Sequence, residues 1–325
     1  MTTGTRTFDL VAIGGGAGGL AAARAAAIEG RSAALITDGP IGGDCTWTGC
    51  IPSKTLIAAA GQGDDFGVAL KRVRDAVAQI AATENAEVLA AEGIAVIEGR
   101  GVLRGSGTID VGGVMVAAKN IILATGGSPA IPPIPGLAKL RYLTNENIWD
   151  LEFRPERLGV LGGGPIGCEL AQAFARLGVQ VSLFEMEPRL LPRGDPEASA
   201  VVQAALESDG VHVLVGESVS EVRTVGHEGA ATLAAGAHII DVDKVLVATG
   251  RRPSTSGMGL DEAGIELTDR GFVKVDRTLR TSVKTIWAVG DVNGLSAFTH
   301  AADEQGRLAA WTALGRRMRW TFDAG

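Results

Sequence analysis

The chain contains the same pattern twice: a short apolar run, a glycine-rich turn and a stretch of helix formers. The first copy is FDLVAI at 8–13 followed by GGGAGG at 14–19, and the second is RLGVL at 157–161 followed by GGGPIG at 162–167. A strand that runs into G-x-G-x-x-G and then a helix binds the pyrophosphate of a dinucleotide, because the helix N-terminus stabilises the anion. One copy is a weak signal, but two copies predict two dinucleotide-binding domains.

The three glycines of each copy have different roles. The first permits a tight turn, the second lets the backbone approach the pyrophosphate, and the third lets the helix pack closely on the strand. These glycines are Gly14, Gly16 and Gly19 in the first copy, and Gly162, Gly164 and Gly167 in the second. Each copy is followed by an apolar run that ends in A-T-G, as expected of a buried strand that stops at a nucleotide. The residues concerned are Ala124, Thr125 and Gly126 after the first copy and Gly250 after the second.

The residue that ends the second strand of such a domain contacts the ribose. In the second domain this residue is Glu185, whose carboxylate would accept both ribose hydroxyls and repel a 2′-phosphate. No arginine follows it directly, so the sequence favours NAD(H) over NADP(H) and leaves NADP(H) open. In the first domain Thr37 holds the position, and the adjacent Asp38 is the predicted ribose ligand.

Two cysteines, Cys45 and Cys50, lie in GGDCTWTGCIPSK at 42–54. The glycines before them, including Gly43, let the backbone turn tightly and come close to a ligand. A proline and helix formers follow, so Cys50 is predicted at a helix N-terminus, where the helix dipole favours a thiolate. A disulfide across so short a loop removes little entropy from the unfolded chain, which makes redox chemistry the better explanation for the pair. The alternative is two buried thiols that act as small apolar side chains.

This cysteine segment resembles the active site of the class I pyridine nucleotide–disulfide oxidoreductases, which include dihydrolipoamide dehydrogenase, glutathione reductase and mercuric reductase. The usual family form is GGTCxNxGCxPSK, from which the chain departs at Asp44 and Trp47. The resemblance implies a glutathione reductase-like α/β fold with two Rossmann-like domains, an NAD(P) domain being inserted into an FAD domain. We therefore expect FAD-binding segments at 1–148 and 271–325, with an NAD(P)-binding domain at 149–270.

The resemblance also implies roles for individual side chains. Cys50 is then the thiol that faces the flavin and gives the charge-transfer interaction, while Cys45 is the thiol that attacks the substrate. Lys54 corresponds to the lysine beside flavin N5, where an ammonium stabilises negative charge on the reduced ring, and Glu169 corresponds to its acidic partner. Cys168, next to Glu169, is expected to be a packed helix residue without a redox role.

A segment near the end of the chain resembles the second flavin motif of this family. It is AVGD at 288–291, in which Asp291 corresponds to the ligand of the ribityl chain and Gly290 precedes it. The following residues, which include His300 and Ala301, are predicted to begin a helix whose N-terminus faces the flavin.

These residues predict an enzyme that passes electrons from NAD(P)H through FAD to a Cys45–Cys50 disulfide and on to a disulfide or related acceptor, either a small molecule or a protein. Two alternatives stay open: a diaphorase-like reduction of quinones or dyes, and a fragment that binds FAD and NAD without turnover. A net charge of −7 argues against nucleic acid as a partner. The uncharged stretch 10–23 is too short to cross a bilayer, three cysteines fit a reducing cytoplasm, and no metal site is predicted.

Family members continue into a further domain that builds a homodimer and carries a histidine–glutamate acid–base pair. The chain ends at Gly325, and no acidic partner of the family type follows any of its four histidines, which are His212, His227, His238 and His300. We therefore expect the interface domain to be absent here, either because the sequence is truncated or because a separate polypeptide supplies it.

Overall fold

The structure is a computed structural model that describes residues 6–226, 229–316 and 322, so His227 lies outside the described residues. In chain order, the helices and strands are β1 (Arg6–Phe8), β2 (Leu10–Ile13), α1 (Ala17–Ile28), β3 (Ala33–Thr37), α2 (Gly43–Trp47), α3 (Cys50–Gly61), α4 (Phe66–Ala81), α5 (Ala86–Ala91), β4 (Ile94–Glu98), β5 (Gly101–Leu103), β6 (Thr108–Val111), β7 (Val114–Ala118), β8 (Ile121–Leu123), β9 (Gly127–Pro129), β10 (Arg157–Leu161), α6 (Pro165–Arg176), β11 (Gln180–Glu185), α7 (Pro196–Ser208), β12 (His212–Val215), β13 (Val219–Thr224), β14 (Ala231–Ala235), β15 (His238–Val242), β16 (Lys244–Val247), β17 (Arg251–Pro253), α8 (Leu260–Ala263), β18 (Ile286–Ala288) and α9 (Thr299–Ala313).

Contacts within the chain divide it into two compact units. The first unit consists of residues 1–45, 79–128 and 252–325, and the second of residues 46–78 and 129–251. Each unit contains one glycine-rich turn: the first glycine turn (residues 14–19) lies in the first unit, and the second glycine turn (residues 162–167) lies in the second.

A parallel sheet with the strand order β18-β8-β2-β3-β4 forms the centre of the first unit. Alternate residues of β2 point to opposite faces, as the two-residue period of a strand requires. Leu10 and Ala12 pack with apolar residues of α1 and α9, while Val11 and Ile13 pack with residues of β5, β6 and β7. The sheet is therefore covered on both faces, which explains why every residue of β2, β3 and β8 is buried and why all but Thr37 are apolar.

The second unit is built in the same way around a parallel sheet with the order β12-β11-β10-β16. Helix α6 connects β10 to β11 and contributes Leu170 and Phe174 to the core on one face. On the other face, Leu161 and Val247 share a core with Leu233 of the antiparallel sheet β13-β14-β15. The predicted α/β fold with parallel sheets is confirmed.

Residues 46–78 follow the first glycine turn in sequence but pack within the second unit. The apolar face of α3 and α4 packs on α6, where Leu56 and Leu70 share a core with Phe174. The ring of Phe66 meets the ring of Phe174 edge-on, with the centroids 6.0 Å apart. These contacts hold α3 and α4 against α6.

The unit boundaries therefore differ from the predicted domain boundaries. Residues 129–148 also group with the second unit, and residues 252–270 group with the first. A division by packing does not test which cofactor a segment binds, so the cofactor assignments of 1–148, 149–270 and 271–325 stay predictions.

Candidate cofactor-binding and redox sites

The first glycine turn is shaped by contacts that leave no room for side chains. Gly14 has a φ of +117°, and a Cβ on it would overlap the carbonyl group of Ala124. A Cβ on Gly19 would overlap the carbonyl of Gly14 as α1 passes over the strand. The turn is fixed by two hydrogen bonds of 2.8 Å, from the Gly14 N–H to Ile36 O and from the Ala124 N–H to Ile13 O. The first and third glycines are thus required by the fold itself.

The middle glycine of this turn differs from its neighbours because the space beside it is open. Gly16 has ordinary extended backbone (φ −80°, ψ −176°) and precedes α1 without any side-chain cap. The nearest atom to a Cβ built there is the Cα of Gly43, at 3.9 Å. The first N–H groups of an uncapped helix are available to an anion. The first glycine turn therefore fits the pyrophosphate of FAD.

The two residues considered for ribose binding, Thr37 and Asp38, have different surroundings at the end of β3. Thr37 is buried, and its Oγ1 donates a hydrogen bond of 2.8 Å to Gly39 O. Asp38 follows directly and is exposed at the carboxyl end of the sheet. Thr37 is thus engaged by its own turn, and Asp38 stays the predicted ribose ligand.

The predicted second flavin motif lies at the same carboxyl edge of the sheet as the first A-T-G segment. Strand β18 pairs in parallel with β8, so the turn after β18 emerges beside the A-T-G residues that follow β8. A Cβ on Gly127 would lie 3.6 Å from the Cβ of Asp291, which shows how closely the two segments approach. Gly126 (φ +67°) and Gly290 (φ +74°) have the left-handed conformation that favours glycine.

Helix α9 begins where the sequence predicts, directly after this turn. Phe298 is its N-cap residue, and His300 and Ala301 lie in its first turn. Ala301 is buried, whereas His300 is exposed and stacks on the ring of Phe298 with the centroids 5.5 Å apart. Both predicted flavin-facing residues are therefore at the N-terminal end of a helix.

The second glycine turn repeats the geometry of the first. Gly162 has a φ of +108° beside the carbonyl of Ala248, and a Cβ on Gly167 would overlap the carbonyl of Gly162. Gly164 is the uncapped N-cap of α6, and a Cβ built on it would find no atom within 4 Å. Gly250, with a φ of +141°, likewise has open space beside it. The predicted NAD(P) turn thus also has an open helix N-terminus.

Glu185 is held at the end of β11 by the backbone. It is 7% exposed, and its two oxygens accept hydrogen bonds from the N–H groups of Gly163 (2.7 Å) and Glu187 (2.9 Å). A carboxylate has about four acceptor sites, so two stay available for the hydroxyls of a ribose. The backbone bonds fix the direction in which those sites point.

Lys54 and Glu169, both in the second unit, are brought together as the sequence predicts. The Nζ of Lys54 in α3 lies 2.8 and 2.7 Å from the two carboxylate oxygens of Glu169 in α6. An ion pair this exposed contributes only about 0–1 kcal/mol to stability. Its effect is positional, because it holds the ammonium over the helix that follows the second glycine turn.

The two cysteines of the redox motif lie on different helices. Cys45 is in α2, and Cys50 is the first residue of α3, as predicted; both are half-buried. Gly49 is the N-cap of α3, so the sulfur of Cys50 lies at the N-terminal end of this helix.

Cys168 has a different environment. Burial raises the pKa of its thiol to about 12, and the carboxylates of Glu185 and Glu169 act in the same direction. Its S–H donates a hydrogen bond to the carbonyl oxygen of Gly163, and the sulfur and the oxygen are 3.3 Å apart. A thiol kept neutral in this way packs against the turn and takes no part in thiolate chemistry.

Two further residues lie behind the second flavin motif and were not predicted from the sequence. Asn293 and Gln305 are buried polar residues that hydrogen bond to each other and to the turn containing Asp291. A single polar residue on the buried face of α9 is a signal in principle, but helical periodicity does not say what that residue binds.

Within the described residues, no helix is both long and apolar enough to cross a bilayer. Nor does this part of the chain contain a group of three or more histidine, cysteine, aspartate or glutamate side chains placed to hold a metal ion.

Known proteins resemble the chain over almost its whole length. The family described as pyridine nucleotide-disulphide oxidoreductase matches residues 8–306. A dihydrolipoyl dehydrogenase of Chlamydia muridarum is 34% identical over 98% of the chain and 72% of its own length. A mercuric reductase of Streptomyces lividans is 36% identical over 94% of the chain and 70% of its own length.

Solved structures agree with these relatives. The HOCl-induced flavoprotein disulfide reductase RclA from Escherichia coli, as its Cu(II) complex, superimposes with a TM-score of 0.91 at 31% identity. The match covers 98% of the chain and 73% of RclA.

Proposed function

Because the chain belongs to the pyridine nucleotide–disulphide oxidoreductase family, we propose that its electron donor is NADH and that Cys45 and Cys50 form its redox-active pair. The chain is an NAD(P)H-dependent flavoprotein disulfide oxidoreductase with the glutathione reductase-like fold, and its flavin is FAD. When bound, FAD supplies two-electron transfer between the nicotinamide nucleotide and the cysteine pair.

One observation carries the proposal. Cys50 begins α3, Lys54 follows one turn later, and the Lys54 ammonium is fixed by Glu169 in the helix that starts at the second glycine turn. The helix with the redox motif and the helix with the nucleotide motif are thus joined within one unit. A cysteine at a helix N-terminus and a fixed ammonium are both suited to stabilising negative charge during electron transfer.

The preference for NADH rests on the surroundings of Glu185. Its fixed carboxylate offers acceptors to ribose hydroxyls and would repel a 2′-phosphate. The next arginine along the chain, Arg189, is committed to other partners: it donates to Ser199 Oγ at 2.8 Å and to Pro192 O at 2.6 Å. A guanidinium held by these acceptors is poorly placed to recognise a phosphate.

The proposed reaction at sulfur is thiol–disulfide exchange. The thiolate of Cys45 attacks one sulfur of the acceptor disulfide, so that a mixed disulfide forms and the other acceptor sulfur leaves as a thiolate that takes up a proton. The thiolate of Cys50 then attacks Cys45, which restores the Cys45–Cys50 disulfide and releases the second acceptor thiol. NADH supplies the electron pair that reduces the Cys45–Cys50 disulfide for the next cycle.

The partners follow from the same chemistry. We propose a small-molecule or protein disulfide as the acceptor, and no nucleic-acid or membrane partner. We also propose a cytoplasmic location, because in the reducing cytoplasm a cysteine pair is usually catalytic. The homodimer typical of the family is part of the proposal for the protein that contains this chain.

Thiol titration of the FAD-loaded protein tests the proposal. Anaerobic NADH should increase the number of titratable thiols by the two that one disulfide contains. Cys50→Ser should abolish the increase, whereas the matched control Cys168→Ser should keep it, because Cys168 is buried and protonated. If NADH changes the flavin absorbance but exposes no new thiols in the wild type, the diaphorase-like alternative replaces the proposal.

A further inference from the structure

A fully buried amide lies behind the turn that contains Asp291. Gln305 in α9 is 0% exposed. Its Oε1 accepts hydrogen bonds from the N–H of Gly290 and from the Nδ2 of Asn293, both at 2.8 Å. Its Nε2 has no hydrogen-bond partner among the described residues. Burial of an unpaired N–H group is costly, so packing alone would favour an apolar side chain at this position.

The amide oxygen of Gln305 is bonded to the turn that contains Asp291. Gly290 has a φ of +74°, and its N–H points to Gln305 rather than into a strand ladder. Asn293 bridges the other end: its Nδ2 also donates to Ala288 O at 3.0 Å, and its Oδ1 accepts from the Leu295 N–H at 2.9 Å. Gln305 and Asn293 thus clamp the segment Gly290–Asn293, which includes Asp291, from inside the unit.

Helix α9 is itself fixed against the first glycine turn. A Cβ on Gly306, the residue after Gln305, would overlap the carbonyl of Gly18 in α1. A Cβ on Gly18 would lie 2.9 Å from Val289, which immediately precedes the clamped turn. The backbones of α1 and α9 are therefore in contact, and this contact determines how deeply Gln305 is buried. The N-terminus of α1 and the Asp291 turn consequently lie against the same pair of closely packed helices.

We propose that Gln305 is a positioning residue for FAD binding: its amide oxygen holds the Gly290–Asn293 turn in the conformation that presents Asp291 to the cofactor. The proposal rests on FAD binding by the first unit. It assigns Gln305 no contact with the cofactor and no chemical step. The side chain acts through Asp291, and this distinguishes it from a residue that merely stabilises the fold.

The test measures FAD affinity by titration of the apoprotein, followed through flavin fluorescence, so no turnover is required. Gln305→Leu removes both bonds to the amide oxygen and should weaken FAD binding by about ten-fold, because the Asp291 turn is no longer held. Gln305→Glu keeps an oxygen that can accept from the same two donors, and should stay within about three-fold of the wild type. If Gln305→Leu binds FAD like the wild type, or Gln305→Glu binds more weakly than Gln305→Leu, the proposal is wrong.

A double-mutant cycle separates positioning from general stability. In the Asp291→Ala background the turn has no ligand to present, so Gln305→Leu should cost less than about two-fold further. An undiminished ten-fold loss in that background would overturn the proposal. Leu308→Ala, at a buried position on the same helix, is the matched control: it should lower the melting temperature without weakening FAD binding by more than about two-fold. An equal loss of affinity in this control would also overturn the proposal.

A second variant covers the case in which Gln305→Leu does not fold. Asn293→Ala removes one donor to Gln305 and leaves the bond to Gly290. It should weaken FAD binding by a few-fold, and the effect should again disappear in the Asp291→Ala background. Failure of the wild type to bind FAD would instead refute the cofactor assignment, so the two failures are distinguishable.

Discussion

The first and second glycine turns have almost the same backbone and different surroundings. Each is closed by hydrogen bonds of 2.8 Å: Gly14 donates to Ile36 O in the first and Gly162 donates to Phe184 O in the second. In each, the third glycine lies against the carbonyl of the first. The helix that follows starts in both cases at an extended, uncapped glycine. The backbone geometry that is predicted to recognise a pyrophosphate is therefore the same in both turns and does not distinguish the two units.

The differences lie just outside the turns. The strand end of the first is Thr37, whose hydroxyl is engaged by Gly39, whereas that of the second is Glu185, whose carboxylate receives two backbone N–H groups. Gly43 approaches Gly16 so closely that a Cβ on it would lie 2.7 Å from the Gly16 Cα. Gly164 has no neighbour of this kind. We therefore expect the side chains at the strand ends, together with the segment that passes beside the first turn, to determine which nucleotide each unit binds.

The largest expected effect comes from filling the open space in one turn at a time. Gly16→Val should abolish FAD binding, a loss of at least about 100-fold, because the branched side chain occupies the space of the pyrophosphate. The apoprotein should still fold, since Gly16 has ordinary backbone and no atom nearer than 3.9 Å to an added Cβ. Flavin content and circular dichroism of the purified variant measure both outcomes.

Gly164→Val is the matched variant in the second unit. It should keep its FAD and lose reduction by NADH, because its own turn is altered and the first is intact. A Gly16→Val protein that is folded and yellow, or a Gly164→Val protein that is colourless, would contradict the assignment of the two turns to different nucleotides.

The next effect concerns the cysteines, which follow the first turn and have no counterpart after the second. Cys45→Ser and Cys50→Ser should each lower disulfide-dependent turnover by about 10³-fold or more, because exchange needs both sulfurs. Both should keep NADH-dependent reduction of dyes. Cys45→Ser should show a long-wavelength absorbance band from the Cys50 thiolate, and Cys50→Ser should lack it. A band that survives in Cys50→Ser would reverse the two roles.

The local motifs of the predicted cofactor sites could be predicted from the sequence, but the buried network behind one of them could not. Both glycine turns and the helix start at Cys50 follow from local motifs, because a turn or a helix N-terminus is specified by a few adjacent residues. The Lys54–Glu169 pair joins residues 115 positions apart in the sequence and was expected only from the family resemblance. The network of Gln305, Asn293 and Gly290 could not be predicted, because it joins residues through the unit's interior and depends on the depth at which α9 packs.

The position of α3 and α4 illustrates the same limit. Their apolar residues, Phe66 and Leu70 among them, predict that these helices pack against something, but periodicity does not identify the partner. The structure shows that the partner is α6, so residues 46–78 belong to the second unit although they follow the first glycine turn in the chain.

A smaller effect should follow from the different strand ends. Glu185→Ala should raise the KM for NADH by about ten-fold, because the hydrogen bonds to the ribose are lost. The difference between the KM values for NADH and NADPH should become smaller, because the repulsion of a 2′-phosphate is lost as well. Asp38→Ala in the first unit should weaken FAD binding by less than about ten-fold, since Asp38 is exposed. The effect of Glu185→Ala is measured by stopped-flow reduction with each nucleotide, and the effect of Asp38→Ala is measured by FAD titration. A wild type that prefers NADPH would mean that Glu185 does not set specificity.

The two sheets also resemble each other at their amino ends, where a carboxylate meets a basic side chain. Asp9 accepts from Lys119 Nζ at 2.8 Å before β2, and Asp243 pairs with Arg157 at 2.8 Å before β16. The pKa of Asp9 is lowered to about 2, chiefly by its hydrogen bond from Lys119 and then by bonds from Ser32. Burial works to raise the pKa of Asp243, but the bonds from Arg157 outweigh it, so this pKa is also lowered.

The smallest expected effect is therefore on stability, and it depends on pH. The pKa of Asp9 in the folded protein lies below the value of about 3.9 for an unfolded chain, so its interactions stabilise the fold above about pH 4 and are lost as the pH falls towards 2. Asp9→Asn should lower the melting temperature at pH 7 by at most a few degrees, because the side chain is close to solvent and its ion pair is screened. The difference from the wild type should shrink as the pH falls through this window. Asp269→Asn, at an exposed position of the same unit, should follow the wild type at every pH. A difference for Asp9→Asn that stays constant down to pH 2 would show that the side chain acts through its shape and not through its charge.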